Sequence, residues 1–132
     1  MSERNLEISR RINDLWNAGD MEGIGDLLHD DVVMHHPDGW PEPGPSVGRE
    51  AVFRKFELLR EGWRTDQLET LDRRATGDYV VVEQRWRAQG SHSGATSEVL
   101  LSSVARYHDG KVAEITFYWD HADALAAVGV QD

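Results

Sequence analysis

Two adjacent histidines, His35 and His36, close the apolar run Val32-Val33-Met34 and precede a segment rich in proline (37, 41, 43, 45) and glycine (39, 44, 48). An imidazole exchanges protons near neutral pH, so a histidine aimed from a strand into a pocket is a candidate general base. Side chains alternate along a strand, so His36 shares a face with Val32 and Met34 while His35 takes the other with Val33. The spacing singles out His36 as the base, beside an apolar wall that includes Met34, and makes His35 structural or interfacial. A surface turn whose histidine bonds a backbone carbonyl is the competing reading.

Three further residues could complete such a site. Asp120 stands where the run 112–119 meets "DHADALAAVG" and could share a proton with His36, although aspartate there is also a good helix N-cap. His121, its neighbour, could titrate instead or touch a ligand. Arg85, in "YVVVEQRWRAQ" (79–89), would polarise a carbonyl or hold an enolate if it pointed inward, and would otherwise form a solvated cross-strand ion pair. It shares a face with Tyr79, Val81, Glu83 and Arg87, and Trp86 lies opposite with Val80 and Val82. Alternation alone leaves open which face is the inner one.

Aromatic side chains suggest what such a pocket would hold. Trp16 and Phe53 fall on the apolar stripes of two predicted helices, Trp119 ends the last strand, and Trp40 sits in the Pro/Gly segment as a lid. A flat aromatic wall suits a planar, hydrophobic small molecule. Prolines 41, 43 and 45 would lower the entropy such a lid loses on ordering.

The elements that must position these groups follow from periodicity. Residues 3–18 read as a helix through Ile8, Ile12, Leu15 and Trp16, stopped by Gly19; Asp20 caps a shorter helix carrying Met21, Ile24, Leu27 and Leu28. A strand runs from Val32 to His36. Val47 and Val52 are placed to staple a third helix around a Gly48 cap, and Val52, Phe53, Phe56, Leu59 and Trp63 form its stripe. Residues 64–75 are a weak strand, 79–89 and 96–107 strong ones, and Asp109-Gly110 turns the chain into a last strand, 112–119. "GSHSG" joins 79–89 to 96–107. A short alanine-rich helix ends at Gly129. Helices segregated from a meander of antiparallel strands predict an α+β fold, a curved sheet whose concave face three helices cover around a hollow.

Composition narrows the partners. The 132 residues predict one domain spanning 1–132. With 24 acidic against 14 basic side chains, the charge of −10 repels nucleic acids and anionic membranes. There is no cysteine, and His29, His35 and His36 beside Asp30 and Asp31 lack the spacing of a metal site, so neither metal nor cofactor is expected. Ser91 and Ser93 have no strand-to-helix setting for a nucleophile. No apolar run reaches membrane-span length and no signal peptide opens the chain, which makes the cytoplasm the expected location.

Four pieces in order, "LWNAGDMEGIGDLLHDDVVMHHPDG", "SVGREAVFRKF", "YHDGKVAEITFYWD" and "ALAAVG", give the chain a resemblance to the nuclear transport factor 2-like superfamily. Within it the chain resembles the SnoaL-like polyketide cyclases, with ketosteroid isomerase and limonene epoxide hydrolase as relatives. The resemblance implies a cone of curved sheet, a homodimer paired through the outer sheet face, and either a cofactor-free acid–base site that moves a proton next to a carbonyl or a non-catalytic hydrophobic-ligand-binding or dimeric structural module of the same fold. His36 stands where the isomerase carries its catalytic aspartate before a proline. Ile12 and Ser102 stand where it has its oxyanion-holding tyrosine and acid. Arg85 and Asp120 match two parts of the hydrolase's Arg-x-Asp plus Asp set, and Arg87 replaces the third.

Overall fold

A computed structural model describes residues 2–40, 44–90 and 95–130. The chain forms α1 (Ser2–Ala18), α2 (Met21–Gly25), β1 (Leu28–His35), β2 (Ser46–Val47), α3 (Arg49–Gly62), β3 (Trp63–Thr76), β4 (Tyr79–Gly90), β5 (Thr96–His108), β6 (Lys111–Tyr118) and α4 (His121–Ala127). The six strands make one sheet in the order β2-β1-β6-β5-β4-β3. Every pairing is antiparallel except β1 with β6. This is the expected α+β arrangement.

Local chemistry explains the boundaries. Asp20 accepts from the Gly23 N–H at 2.8 Å and starts α2. Asp109 and Gly110 take φ of 51° and 78°, the left-handed pair that a two-residue hairpin between twisted strands requires. Gly48 accepts the first α3 hydrogen bond, from the Val52 N–H at 3.1 Å. Val52 is fully buried but Val47 is 65% exposed, so the expected staple buries little. Val47 belongs instead to β2, a short strand that periodicity did not suggest. β1 also begins earlier than expected, at Leu28, with its register broken between Leu28 and Val33. Leu59, Trp63, Pro41, Pro43, Ser91 and Ser93 lie outside the residues whose side chains are described.

The main core joins Leu28, Val32, Met34, Val52, Val80, Val82, Tyr107 and Val112. α1 docks on the free edge of β3 through Asn17. Its carboxamide oxygen accepts from the Leu68 N–H at 2.7 Å, and its nitrogen donates to the Leu68 carbonyl at 3.0 Å. One side chain thus imitates a neighbouring strand and covers an edge that would otherwise recruit another chain. The last helix, α4, packs elsewhere, with Ala124 and Leu125 against Val81 and Val104 on the opposite, outer face of the sheet.

Two irregularities decide which side chains look inward. β3 pairs Thr70 with Gln84 and Asp72 with Glu83, so Leu71 is an extra residue. Leu68, Thr70, Arg73 and Ala75 therefore share the inner face, and Asp72 and Arg74 the outer one. A matching irregularity lies where Arg106 pairs Glu114 and Tyr107 pairs Val112.

Candidate functional site

Between α1, α3 and the concave sheet lies a cavity of about 220 Å³. It exceeds the roughly 150 Å³ of an apolar cavity that accepts benzene. Its walls are mostly apolar: Ile12 and Trp16 from α1, Phe56 from α3, and Val82, Trp86, Leu101 and Phe117 from the sheet. Trp40 and Trp119 also line it, with ring centroids 6.1 Å apart. Trp119 is 47% exposed, whereas Leu28, Tyr107 and Val112 at the other end are buried. The two tryptophans therefore mark the mouth. At about 3.3 Å per residue, Tyr107 and Leu101 are roughly 20 Å apart along β5, so the hollow is elongated.

Three polar side chains, Arg73, Ser9 and Tyr107, meet at the closed end. Arg73 donates from Nε to Ser9 Oγ at 3.0 Å and from Nη2 to Thr70 Oγ1 at 3.2 Å. The Ser9 hydroxyl in turn hydrogen-bonds the Tyr107 phenol. Burial, then the positive charge of Arg10, lowers the pKa of the Arg73 guanidinium, against opposing effects of Tyr107 and Asp14. Burial pushes the Tyr107 phenol up to about 12, against the opposing pull of Ser9 and Arg73. At neutral pH this end therefore holds a protonated phenol and a cation. Among the described residues that line the cavity, Arg73 is the one charged side chain.

The expected catalytic set does not assemble. His36 stacks on Trp40, centroids 6.0 Å apart and rings 8° from parallel, and Gly44 lies so close that a Cβ there would overlap the imidazole. It sits one ring removed from the cavity that Trp40 lines. Asp120 caps α4, accepting from the Ala122 N–H at 2.9 Å. Arg85 is on the outer face, 2.8 Å from Glu69 and 3.5 Å from Glu98. Inner-face alternation assigns Val82, Gln84 and Trp86 to the cavity and forces Arg85 outward.

The ligand-contact residues divide. Trp16, Trp40 and Trp119 line the cavity. Met34 is buried in the main core instead. Phe53 packs on the cluster of Trp16, Met21 and Ile24, and Phe56 takes the cavity position. His121 lies on the outer face, its Nδ1 2.9 Å from Ser102 Oγ and its Nε2 3.3 Å from Asp72 Oδ2. Ser103, not Ser102, reaches the cavity. Sequence reasoning missed Ser9, Arg73, Gln84 and Tyr107. No group of three or more His, Asp or Glu among the described residues is placed to hold a metal.

An α+β cone with a mostly apolar hollow is the architecture of nuclear transport factor 2-like proteins. A family model described as the SnoaL-like domain matches residues 9–115, and the chain belongs to that family. A proposed SnoaL-like polyketide cyclase from Jannaschia sp. CCS1 superposes with a TM-score of 0.79 at 19% identity, over 99% of this chain and 95% of that one. A protein of ketosteroid isomerase-like fold from Catenulispora acidiphila, in complex with trimethylamine, gives 0.76 at 15% identity over 95% and 94%. TerC, co-crystallised with polyporic acid, gives 0.77 at 22% identity over 95% and 97%. At these identities the structures speak for the fold. No curated protein matches the chain.

Proposed function

We propose that this protein takes up a hydrophobic, planar small molecule of polyketide-, steroid- or terpenoid-like character in the cavity behind Trp40 and Trp119. The observation that carries this reading is the elongated, mostly apolar hollow with Arg73, Ser9 and Tyr107 gathered at one end. Apolar walls drive binding, and a few localised polar groups set orientation. TerC, which shares the fold, was co-crystallised with an organic acid, which is in keeping with it. Tryptophan fluorescence titration with a panel of planar aromatic ketones tests it. Quenching that saturates, and that disappears when Ala105→Phe fills the cavity of a still-folded protein, is expected. Failure of the whole panel, or binding indifferent to Ala105→Phe, would overturn it.

A second reading is a cofactor-free isomerase or cyclase that moves a proton next to a carbonyl. The stacking of His36 on Trp40 favours it, since rotation of that indole would open a path from imidazole to ligand. Deuterium exchange α to the carbonyl of a bound ketone, slowed about 100-fold or more in His36→Gln, is its signature. Exchange at the wild-type rate in that variant would remove His36 as base. Either reading accommodates a homodimer through the outer sheet face, where Leu100 is 48% exposed. Light scattering showing monomer alone at micromolar concentration would rule the dimer out.

A further inference from the structure

We propose that the ligand is an organic monoanion, a carboxylate or an acidic enol in its ionised form, bound head-first at the closed end by Arg73, Tyr107 and Ser9. This rests on reading the cavity as a ligand site and adds the chemistry of its inner end.

The first argument is charge. Arg73 is the one charged side chain on the cavity wall among the described residues. Its side-chain hydrogen-bond partners among the described residues are hydroxyls, Ser9 and Thr70. Asp14 attracts this guanidinium from a distance, and Arg10 opposes it; an anionic head group in the cavity would add the direct counter-charge that a partly desolvated guanidinium favours. An ammonium group would meet a like charge at the same place.

The second is the supply of hydrogen-bond donors. Arg73 Nε–H donates to Ser9 Oγ, and the Ser9 hydroxyl hydrogen-bonds the Tyr107 phenol. The three groups form one chain in which each bond polarises the next. A guanidinium has five N–H donors and accepts nothing, and two of Arg73's are in use. The closed end thus offers donors, and its complement is an acceptor with several lone pairs, which a carboxylate or enolate provides.

The third is shape. Arg73, Ser9 and Tyr107 at the closed end and mostly apolar walls out to Trp86 and Trp119 match a ligand with one anionic end and an aromatic body. With room beyond that needed for benzene, a fused bicyclic body fits.

Three matched probes test this by calorimetry: 2-naphthoate, 2-methylnaphthalene and 2-naphthylmethylammonium. Naphthoate should bind about tenfold or more tighter than the hydrocarbon, and the ammonium most weakly. Arg73→Gln should weaken naphthoate about 10- to 100-fold and leave 2-methylnaphthalene unchanged. Tyr107→Phe and Ser9→Ala should give the same selective loss on a smaller scale, and they decide the matter if Arg73→Gln does not fold. Equal affinity for naphthoate and hydrocarbon, or equal loss of both in these variants, would overturn the anion proposal and leave the cavity reading standing. Failure of all three probes would overturn both.

Discussion

Trp119 donates its indole N–H to the Asp38 carbonyl at 2.7 Å, tying the end of β6 to the turn that carries Trp40. The bond spans the cavity mouth, so it bears on ligand exchange more than on the core. Trp119→Phe keeps an aromatic wall and deletes the donor. Ligand dissociation followed by stopped-flow fluorescence should accelerate about fivefold, the equivalent of one hydrogen bond worth about 1 kcal/mol. Unchanged dissociation would mean that the tie does not gate the mouth.

Tyr107 makes stability sensitive to alkali. Its phenol is raised from 10.0 to about 12, so the unfolded chain releases this proton first as pH rises. The stabilisation is complete below about pH 10, falls as pH rises toward about 12, and amounts to about 2–3 kcal/mol. Urea unfolding between pH 9 and 12 should show a steeper decline for the wild type than for Tyr107→Phe. Parallel curves would contradict the assignment.

Asp120 offers a clean separation of roles. As the α4 N-cap, its replacement by alanine should cost about 1 kcal/mol and lower the melting temperature by about 3–5 °C. Ligand affinity should be untouched, because the helix it caps packs on the face away from the cavity. A loss of affinity without a loss of stability would restore Asp120 to the site.

Asn17 holds the edge of β3 by both backbone groups of Leu68. Asn17→Ala leaves those groups to water and should cost about 1–2 kcal/mol. Hydrogen exchange at the Leu68 amide should quicken well before exchange at the β4–β5 ladder. Uniform quickening across the sheet would point to global loosening instead.

Much of the fold was legible because strong local signals agreed. The stripe from Ile8 to Trp16, the valine-rich 79–89 run and the Asp109-Gly110 turn each specify one conformation. The inner face was harder to read. Val80, Val81 and Val82 are all buried, because α4 covers the outer side of β4 at Val81, so hydrophobicity did not distinguish the faces. Trp86 belongs to the cavity and Arg85 does not for the same reason. Arg73 escaped notice because "ETLDRRATG" reads as solvated and charged, and no residue type announces the extra Leu71. His36 falls just past β1, which ends at His35, rather than on the strand as expected, and its separation from the hollow depends on Trp40, a contact between loop residues that spacing does not encode.

That extra residue in β3 reaches further than its own position. Shifted to the far side of Arg73, it would swap the two faces there and turn Asp72 toward the hollow in place of the guanidinium. A chain with the same local residues would then select for cations. The ligand preference of such a cone is thus written in where its backbone slips by one step, as much as in the letters at its lining.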